Sequence, residues 1–447
     1  MAGRVRIFVM SIIGSIKGAV ARKLFSGICL TDSLGLWSIA GIYDTTGAKI
    51  QDYHLKRLRN IVSYANGATP FWHRVFSSAG IDARTLTLKL FEQIPVLTKE
   101  HLKHATDEIL ANDLSRHNVT MIMTSGSSGV PLKIYADDVF LKKRIQVHRH
   151  YLQKVLKLRS ANGFASFRKR QHTRVLGHYV DWATNDLAAA ADWIAKNAQA
   201  ACGSLFNLMN FARRLNKSNL KLNLDFVVSC AEFLSETDRK YLEKTFNCPV
   251  YDQYTNAEVG LIAFECSRRC GFHVNTANIL VEIVDKYGVS VQKGKIGRIL
   301  VTAFDNKIMP LIRYDTADLG QWMDGTCSCG LKTPRLIFEG RASNVLKLPN
   351  DREYYLEYFI GPMNRSFVDV IEKLQFFQKS RELLVLRIIP TAKYKDEHGV
   401  AMRKLLISLL VRARAVDDSG AFDIRIEKVD IIENFPSGKA RLFVSAL

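Results

Sequence analysis

The sequence predicts an α/β protein with a large N-terminal part, which combines mixed sheets, helices and a β-rich region, and a small α+β C-terminal part. Helical and strand-like segments alternate between residues 186 and 253, a pattern typical of parallel βαβ units. From about residue 278 short apolar strands dominate, and beyond residue 340 strand, helix and strand patterns follow one another. The chain has 447 residues and 47% hydrophobic content, enough for a sizeable core spread over two or three domains.

The predicted elements follow from local patterns. Apolar residues recur at helical spacing after residue 52, so residues 52–117 are predicted to be helical, with interruptions at Pro70, Gly80 and Pro95. The basic stretch 138–158 is predicted to be a long helix. The other predicted helices are 186–200, 204–216, 235–246 and 401–412, and the predicted strands are Val119–Met123, 225–229, 250–253, Ile279–Val284, 297–302, 336–338, 383–389 and 424–432.

We expect three regions: an N-terminal extension over residues 1–50, a large domain over 51–340 and a small domain over 341–447. The extension has no acidic residue before Asp32, and its apolar stretch at 7–16 is too short to span a bilayer. Two interpretations stay open, a basic amphipathic helix resting on an anionic membrane and a plain helix packed on the large domain. The expected location is therefore cytoplasmic, with peripheral membrane contact as the alternative.

The chain is strongly basic, with a net charge of +20 and a pI near 9.6. Between residues 139 and 180 there are eleven Lys or Arg and no Asp or Glu. This stretch is either a docking face for an anionic partner (an acidic carrier protein, a phosphorylated cofactor, a nucleic acid or a membrane) or a solvated helix face followed by a basic loop. No aromatic residues are interleaved as a stacking platform, which weighs against nucleic acid. A monomer and an oligomer are both compatible with the sequence.

Two tight groups of cysteines point to a metal. The first is Cys266-x3-Cys270 with His273 close behind, and the second is Cys327-Ser-Cys329. Two close pairs from separate segments are the usual source of the four ligands of a tetrahedral zinc. In a chain of this size the pattern favours metal binding in a reducing compartment over disulfides. Five residues compete for four places, and four protein ligands would make the zinc structural because no place remains for water.

A Ser/Gly-rich run follows the predicted strand Val119–Met123. Its residues are Thr124, Ser125, Gly126, Ser127, Ser128 and Gly129, closed by Pro131 and Lys133. Glycines allow a tight turn, and the backbone N–H groups, hydroxyls and the lysine can bind a polyphosphate. The spacing of a Walker loop is missing, and a flexible turn is the alternative interpretation.

Four further motifs carry candidate chemistry. Tyr254, Thr255, Asn256 and Glu258 lie at a predicted strand end, where a ring and a carboxylate could stack a base and hold Mg²⁺. The other three motifs contain Asp318, which could accept hydrogen bonds from ribose hydroxyls, Arg341 at the expected domain boundary, and Lys439 in a Ser-Gly turn. Taken one at a time, each is equally compatible with ordinary solvated surface.

In this order and spacing, the five motifs resemble those of the adenylate-forming superfamily, and most closely its phenylacetate–CoA ligase branch, which includes relatives encoded with capsular polysaccharide genes. The segments 58–65, 70–72 and 94–99 support that branch, and the resemblance covers about residues 50–447. It implies a large N-terminal adenylate-forming domain followed by a small, mobile α+β lid domain.

The resemblance also implies site residues. Those it places at the nucleotide are Thr124, Ser125, Gly126, Ser127, Ser128, Gly129, Lys133, Ser229, Cys230, Ala231, Glu232, Tyr254, Thr255, Asn256, Asp318 and Arg341. Among them, residues 124–129 would cradle the phosphates, 229–232 would line the adenine pocket and Tyr254 would lie on the adenine face. Glu258 would hold Mg²⁺, and Lys439 would reach the carboxylate and the α-phosphate.

The family pattern further implies that Cys266, His273, Cys327 and Cys329 hold a structural zinc, with Cys270 spare.

The chain also departs from the family at four positions. Thr255 and Ala257 replace a glycine and a threonine of one motif, Ala317 replaces the glycine before Asp318, and Asn344 stands where an aspartate is common. None of these changes removes a charged group that adenylation needs.

The function implied is ATP- and Mg²⁺-dependent activation of a small carboxylic acid through an acyl- or aryl-adenylate, with transfer to a thiol. The thiol would belong to CoA or to the phosphopantetheine of an acyl carrier protein. One alternative is an adenylating enzyme with an amine or hydroxyl acceptor in polysaccharide or natural-product assembly. The other is a non-catalytic, zinc-stabilised basic binding protein. The sequence does not name the acid.

Overall fold

The computed structural model describes residues 39–113, 118–123, 132–160, 163–167, 178–181, 183–234, 236–342, 345–349, 353–356, 359, 363, 366–367, 370–412, 422–432 and 442–447. Several predicted features therefore lie outside the described residues: most of the N-terminal extension, the run 124–129, the basic loop 168–170, Asn344 and Lys439.

The helices of the described part are α1 (Ile39–Tyr43), α2 (Ala48–Ala68), α3 (Pro70–Ala79), α4 (Leu88–Phe91), α5 (Lys99–His104), α6 (Thr106–Ile109), α7 (Asp138–His150), α8 (Leu187–Asn197), α9 (Leu205–Lys217), α10 (Glu236–Phe246) and α11 (Asp396–Arg412). None of them combines the length and the apolar character that crossing a membrane requires.

The described strands are β1 (Val119–Met123), β2 (Lys133–Asp137), β3 (Phe164–Phe167), β4 (His178–Val180), β5 (Ala200–Ser204), β6 (Phe226–Cys230), β7 (Val250–Asn256), β8 (Gly260–Glu265), β9 (Phe272–Val274), β10 (Ile279–Val284), β11 (Gly297–Ala303), β12 (Tyr314–Trp322), β13 (Arg335–Arg341), β14 (Val345–Lys347), β15 (Glu353–Tyr355), β16 (Ile371–Gln378), β17 (Leu383–Pro390), β18 (Asp423–Lys428) and β19 (Phe443–Ser445).

Short helices fill most of the predicted helical region. Thr69 ends α2 and caps α3 by accepting a hydrogen bond from the Trp72 N–H at 3.3 Å, and Pro70 occupies the first position of α3. Gly80 ends α3 with a left-handed φ of 64°. The interruptions predicted at Pro70 and Gly80 are thus confirmed. The region is anchored to the sheet by a buried ion pair between Arg57 and Asp305, with 2.7 Å between Nη2 and Oδ1.

An eleven-stranded sheet forms the centre of the large unit, in the order β10-β11-β12-β13-β9-β8-β7-β6-β5-β3-β4. The strands from β4 to β7 pair in parallel, and the remaining pairs are antiparallel. Helices α9 and α10 connect consecutive parallel strands, which confirms the predicted βαβ units. Hydrophobic clusters cover both faces of the parallel half, which fits the continuous apolar runs of its strands.

Some predicted bounds were wrong. The helix predicted at 186–200 ends at Asn197, and the buried strand β5 begins at Ala200. Its sequence, Ala-Ala-Cys-Gly-Ser, lacks the β-branched and aromatic residues that usually mark strands. The next helix begins at Leu205 because the Ser204 hydroxyl caps it, accepting from the Asn207 N–H at 3.2 Å. Strands such as β8 and β12 have no counterpart among the predicted elements.

The predicted long basic helix is α7, extended by one π-helical turn at Tyr151–Val155. The side chain of Asp137 caps its beginning by accepting from the Phe140 N–H at 2.7 Å. Strand β2 precedes this cap and pairs antiparallel with β1 in a separate hairpin. The predicted strand Val119–Met123 is confirmed, and the run 124–129 belongs to the connection between these two strands.

The small C-terminal unit has its own four-stranded sheet, in the order β18-β17-β16-β19, and its own hydrophobic cluster, which includes Leu346, Phe376 and Leu406. The fold class predicted from the sequence is thereby confirmed. Within the unit, α11 begins at Asp396, five residues before the predicted start, and β18 ends at Lys428 rather than at residue 432. The domain boundary near residues 340–341 stays a prediction, and β13 ends there at Arg341.

Candidate active site

The turn between β7 and β8 carries Glu258 and is held from two sides. The Asn256 side chain accepts from the Val259 N–H at 2.8 Å, and Nη1 of Arg144, on α7, donates to the Ala257 carbonyl at 3.0 Å. Gly260 has a φ of 88°, and a Cβ there would lie 2.5 Å from Arg144 Nε. A larger residue would be strained and would push this arginine away. Helix α7, which follows the β1–β2 hairpin, therefore fixes the turn.

Glu258 itself is buried and bonded to the neighbouring strand. The hydroxyl of Tyr314, at the start of β12, donates to Glu258 Oε1 at 3.0 Å. Burial, reinforced by this carboxylate, raises the pKa of Tyr314 far above its usual range, so the phenol remains a donor at any ordinary pH. The bond orients one carboxylate oxygen and leaves the other for a further ligand.

Asp318 is the centre of a second set of contacts. The Tyr254 hydroxyl donates to its Oδ2 at 2.6 Å, and Arg341 Nε lies 3.1 Å from its Oδ1. Asp318 and Arg341 face each other across β12 and β13. Asp318 is the main cause of the raised pKa of the Arg341 guanidinium, and burial is the main cause of the raised pKa of the Tyr254 phenol. We call Tyr254, Glu258, Tyr314, Asp318 and Arg341 the carboxylate cluster.

The departure at position 317 has a visible backbone consequence. Ala317 has a φ of 60°, in the left-handed region that glycine occupies at little cost. The backbone keeps this conformation because the Ala317 N–H donates to Asp315 Oδ1 at 2.8 Å and its carbonyl accepts from the Ala342 N–H at 2.9 Å. The chain thus retains the geometry of a glycine motif without the glycine.

Lys99 is a site residue to which the sequence analysis assigned no role. Burial is the main cause of the lowered pKa of its ammonium group; Arg341 lowers it further, and three carboxylates oppose that effect: Glu258, Asp318 and Asp315. The lysine is therefore near both acidic members of the carboxylate cluster. The sequence feature that marks this position is the start of a helix: Lys99 directly follows Thr98, whose hydroxyl accepts from the His101 N–H in a capping box.

The backbone before Lys99 is attached to β12. The Leu97 N–H donates to the Arg313 carbonyl at 3.1 Å, and the Asp315 N–H donates to the Leu97 carbonyl at 2.8 Å. The buried Arg313 guanidinium also donates to the Ile94 carbonyl at 2.6 Å and pairs with Glu282 at 3.0 Å. These bonds place the first residue of α5 beside the start of β12, although more than 200 residues separate the two in sequence.

Other residues were also predicted to bind the nucleotide. The contacts described for them do not involve the carboxylate cluster. Ala231 follows β6 with a φ of 69°, and Glu232 accepts from the Phe206 N–H at 2.6 Å, at the beginning of α9. Lys133 is exposed at the start of β2. Thr255 is half-buried and is the last residue but one of β7, which ends at Asn256.

The cysteine cluster is a second candidate site on the same sheet. The ligand atoms of Cys266, His273, Cys327 and Cys329 all lie within 4.8 Å of one another. Cys266 Sγ is 3.6 Å from Cys327 Sγ, and Cys329 Sγ is 3.4 Å from His273 Nε2. Tetrahedral zinc with Zn–S bonds of about 2.3 Å requires ligand atoms about 3.5–4 Å apart, so these donors fit the metal.

Cys270 is outside this cluster, as the family pattern implies. It is exposed, and its thiol donates to the Arg268 carbonyl at 3.2 Å. His273 Nδ1 lies 3.0 Å from the Thr333 hydroxyl, which leaves Nε2 facing the sulfurs. Burial, with Arg335 acting in the same direction, lowers the pKa of His273 to about 4, which favours the neutral imidazole that binds metals.

Comparisons with known proteins agree with this architecture. No protein-family model matches the chain. It is 22% identical to Protein CapK of Staphylococcus aureus over 282 residues, 59% of this chain and 61% of that protein. It is 24% identical to the phenylacetate-coenzyme A ligase of Thermus thermophilus over 324 residues, 67% of this chain and 72% of that enzyme. The match thus spans less than two thirds of the first of these curated relatives.

Solved structures show the same fold. The 2-hydroxyisobutyryl-CoA ligase in its postadenylation state, in complex with R3-HIB-AMP, superposes with a TM-score of 0.74 at 17% identity, covering 90% of this chain and 91% of that one. ATP-bound MatB from Rhodopseudomonas palustris gives a TM-score of 0.53 at 14% identity, over 72% and 66% of the two chains.

The chain therefore has the fold of the solved 2-hydroxyisobutyryl-CoA ligase, with a large α/β unit and a small C-terminal unit. Its similarity to Protein CapK and to a phenylacetate-coenzyme A ligase agrees with the phenylacetate–CoA ligase-like branch of the adenylate-forming superfamily, which the sequence motifs resemble.

Proposed function

We propose that this protein uses MgATP to activate a small carboxylic acid as an acyl- or aryl-adenylate and then transfers the acyl group to a thiol, that of CoA or of a carrier-protein phosphopantetheine. The observation that carries the proposal is the carboxylate cluster, in which residues from β7, β12, β13 and the turn before β8 meet in one place.

Each member has a role that fits its contacts. Asp318, fixed by Tyr254 and Arg341, is an acceptor for the ribose hydroxyls. Glu258, fixed by Tyr314, would hold Mg²⁺, which on binding neutralises phosphate charge. Arg341 and Lys99 add positive charge where the nucleotide phosphates would lie. The residues 124–129 follow β1 and are proposed to bind the same phosphates.

The first half-reaction is an in-line displacement. A carboxylate oxygen of the acid attacks the α-phosphorus, the bond to the β-phosphate oxygen breaks, and pyrophosphate leaves with its electron pair. Negative charge builds on the α-phosphoryl oxygens, and Lys439 on the small unit is proposed to stabilise it. A rate gain comes from holding the two reactants in line, because neither needs covalent help from the protein.

In the second half-reaction the thiol sulfur attacks the acyl carbon of the adenylate. The acyl–oxygen bond breaks, AMP leaves as the phosphate anion, and the thiol proton is released to solvent. An amine or hydroxyl acceptor would react in the same way, so product analysis must decide between acceptors. The exposed lysines of α7 and its π-helical turn, Lys142 and Lys154, would suit either an acidic carrier or the phosphates of CoA.

We further propose that the cysteine cluster holds one structural zinc. Four protein donors whose ligand atoms lie within 4.8 Å of one another can complete the tetrahedron.

The test is ATP–pyrophosphate exchange by the purified full chain with Mg²⁺ over a panel of aryl and aliphatic acids, followed by product analysis with CoA, carrier protein and amines. We expect acid-dependent exchange, and we expect Lys439→Ala to lose about 10²–10³-fold. Lys393→Ala, an exposed lysine of the same unit, is the matched control and should keep the wild-type rate. No exchange with any acid would contradict the proposed function, and an unchanged rate in Lys439→Ala would remove that lysine from the mechanism.

A further inference from the structure

Three polar side chains are buried in the core of the large unit, away from the contacts described above. Tyr151 is in the π-helical turn after α7, Cys202 is in β5 and Gln253 is in β7. Their exposed fractions are 0%, 4% and 5%. We call these residues the polar trio. Such groups are rare in well-packed cores unless they are hydrogen-bonded.

The contacts of the polar trio place its members on one face of the sheet. Gln253 Nε2 donates to Cys202 Sγ at 3.5 Å. Gln253 is also the cross-strand partner of Phe264, and the Tyr151 ring packs on the Phe264 ring with 4.6 Å between centroids. The π-helical turn thus places Tyr151 against Phe264, the cross-strand neighbour of Gln253. Single π turns inside helices are frequent at functional sites.

Two atoms of the polar trio have unmet hydrogen-bonding capacity. Among the residues that the structure describes, neither Tyr151 Oη nor Gln253 Oε1 has a hydrogen-bond partner. One is a donor and the other is an acceptor, and leaving such groups buried without partners destabilises the fold. A fold that keeps both leaves each atom able to bond a group that the described protein residues do not supply, an acceptor for the phenol and a donor for the amide carbonyl.

The location connects the polar trio to the nucleotide side. Cys202 and Gln253 lie on strands of the parallel half of the sheet, whose carboxyl ends are the usual ligand site of an open α/β sheet. Gln253 and Tyr254 are neighbours in β7, so their side chains point to opposite faces of the sheet, and what links the polar trio to the nucleotide side is this shared strand end. An acid that lies across the strand end, with its carboxylate at the nucleotide, could extend its other end toward the polar trio.

We propose that the polar trio is the distal end of the acid pocket and that the acid activated here carries a hydroxyl group. This inference rests on the proposed function. A hydroxyl has one donor and two lone pairs, so it accepts from Tyr151 and donates to Gln253 at once. An acid without a hydroxyl leaves both groups unpaired in the bound state, and sites of this kind discriminate strongly against such analogues.

The test compares acids that differ only by one hydroxyl: phenylacetate with 4-hydroxyphenylacetate, benzoate with 4-hydroxybenzoate, and butyrate with 4-hydroxybutyrate. The measurement is kcat/KM in ATP–pyrophosphate exchange by the full chain. We expect the hydroxylated member to be preferred by about 10-fold or more in the pair whose length fits, with an upper range of ~10⁴-fold.

Two variants locate the preference. Tyr151→Phe keeps the ring packing on Phe264 and removes the hydroxyl, and Gln253→Leu keeps the size of the side chain and removes the amide. Each should lower kcat/KM for the hydroxy acid by about 10-fold or more and leave that of its partner acid nearly unchanged. Thr276→Val is the control, because it removes another buried hydroxyl without a described partner, one that lies next to His54 instead.

The outcomes are distinct. Equal rates for both members of every pair, or equal losses on both acids in Tyr151→Phe, would overturn the inference and mean that the polar trio holds only a buried water. A shifted preference in Thr276→Val would also overturn it. If none of the acids supports ATP–pyrophosphate exchange, the proposed function is contradicted, and the inference is contradicted with it.

Discussion

The carboxylate cluster and the cysteine cluster are built on the same eleven-stranded sheet, but different forces hold them together. In the carboxylate cluster each acid already has protein partners: the Tyr314 hydroxyl donates to Glu258, the Tyr254 hydroxyl donates to Asp318, and Arg341 forms an ion pair with Asp318. These contacts arrange the site before any ligand arrives.

In the cysteine cluster, three thiols and one imidazole contact one another only through weak sulfur hydrogen bonds, with Cys266 Sγ 3.6 Å from Cys327 Sγ and Cys329 Sγ 3.4 Å from His273 Nε2. Burial raises the pKa of the Cys266 thiol to about 12 and lowers that of His273 to about 4, so the folded protein disfavours charge on both groups. A bound divalent cation would favour the charged thiolate form of the cysteines instead. We therefore expect substitutions in the carboxylate cluster to lower activity with little effect on folding. Substitutions in the cysteine cluster should lower stability with little effect on the chemical steps.

Removal of a metal ligand should have the largest effect. Cys266→Ser should lower the zinc content below one ion per chain and lower the Tm by about 10 °C or more, because the metal's binding energy contributes to folding. Cys270→Ser, the exposed neighbour, should keep both the metal and the Tm. Zinc analysis and calorimetry check this, and loss of zinc in Cys270→Ser alone would exchange the roles of the two cysteines.

Loss of the charge on Glu258 should come next. Glu258→Gln keeps an oxygen for the Tyr314 hydroxyl but cannot hold Mg²⁺ as a carboxylate does, so adenylation should fall by about 10²–10³-fold. The Tm should hardly change. Glu92→Gln, at an exposed glutamate, is the control for activity. A variant that loses activity only because it unfolds would break the comparison, since the cluster would then be structural.

The Lys99 substitution sharpens the same comparison. Lys99→Met keeps most of the side-chain volume and removes the charge, so we expect kcat for exchange to fall by about 10-fold or more, with a smaller change in the KM for the acid. Lys89→Met, at an exposed lysine on α4, should behave like wild type. If Lys99 serves only to neutralise the acidic residues, the variant will lose stability and keep its kcat.

The smallest effect concerns the backbone beside Asp318. Ala317→Gly should raise the free energy of unfolding by about 1 kcal/mol, because the left-handed φ of 60° strains alanine and not glycine. The same substitution at the exposed Ala401 of α11 should lower it by about 1 kcal/mol. Denaturant titration of both variants measures the difference, and a stability loss at Ala317 would show that the backbone there is unstrained.

Much of the site could be predicted because its residues lie in short motifs. The types and order of Glu258, Asp318 and Arg341 are local facts of the chain, and the structure brings these three residues together. The zinc set of three cysteines and one histidine followed from the family spacing, and the same four residues meet in space. The spacing of such Cys and His residues can be recognised in a sequence because each pair comes from one short segment.

Other residues could not be predicted because their partners are remote in sequence. Lys99 lies within the electrostatic influence of the carboxylate cluster because Leu97, two residues earlier, is hydrogen-bonded to the Arg313 and Asp315 backbone at β12. Tyr314 bonds Glu258 from 56 residues away in sequence. Arg144 bonds the carbonyl of Ala257, the residue before Glu258, from 113 residues away. The strand β5, which carries Cys202, was missed because its small residues show no strand pattern.

The sequence alone therefore determined the α/β class and the ordered motifs, since these depend on residue type and short spacing, and the family resemblance selected the four Cys and His residues that lie together in the structure. Only the tertiary structure decided which groups lie together: that Tyr254 and Arg341 hold Asp318, that the charges of Glu258 and Asp318 act on Lys99, and that the polar trio lies on one face of the sheet. The physical reason is that strand register and helix packing fix contacts between distant residues, and no local pattern in the chain encodes that register.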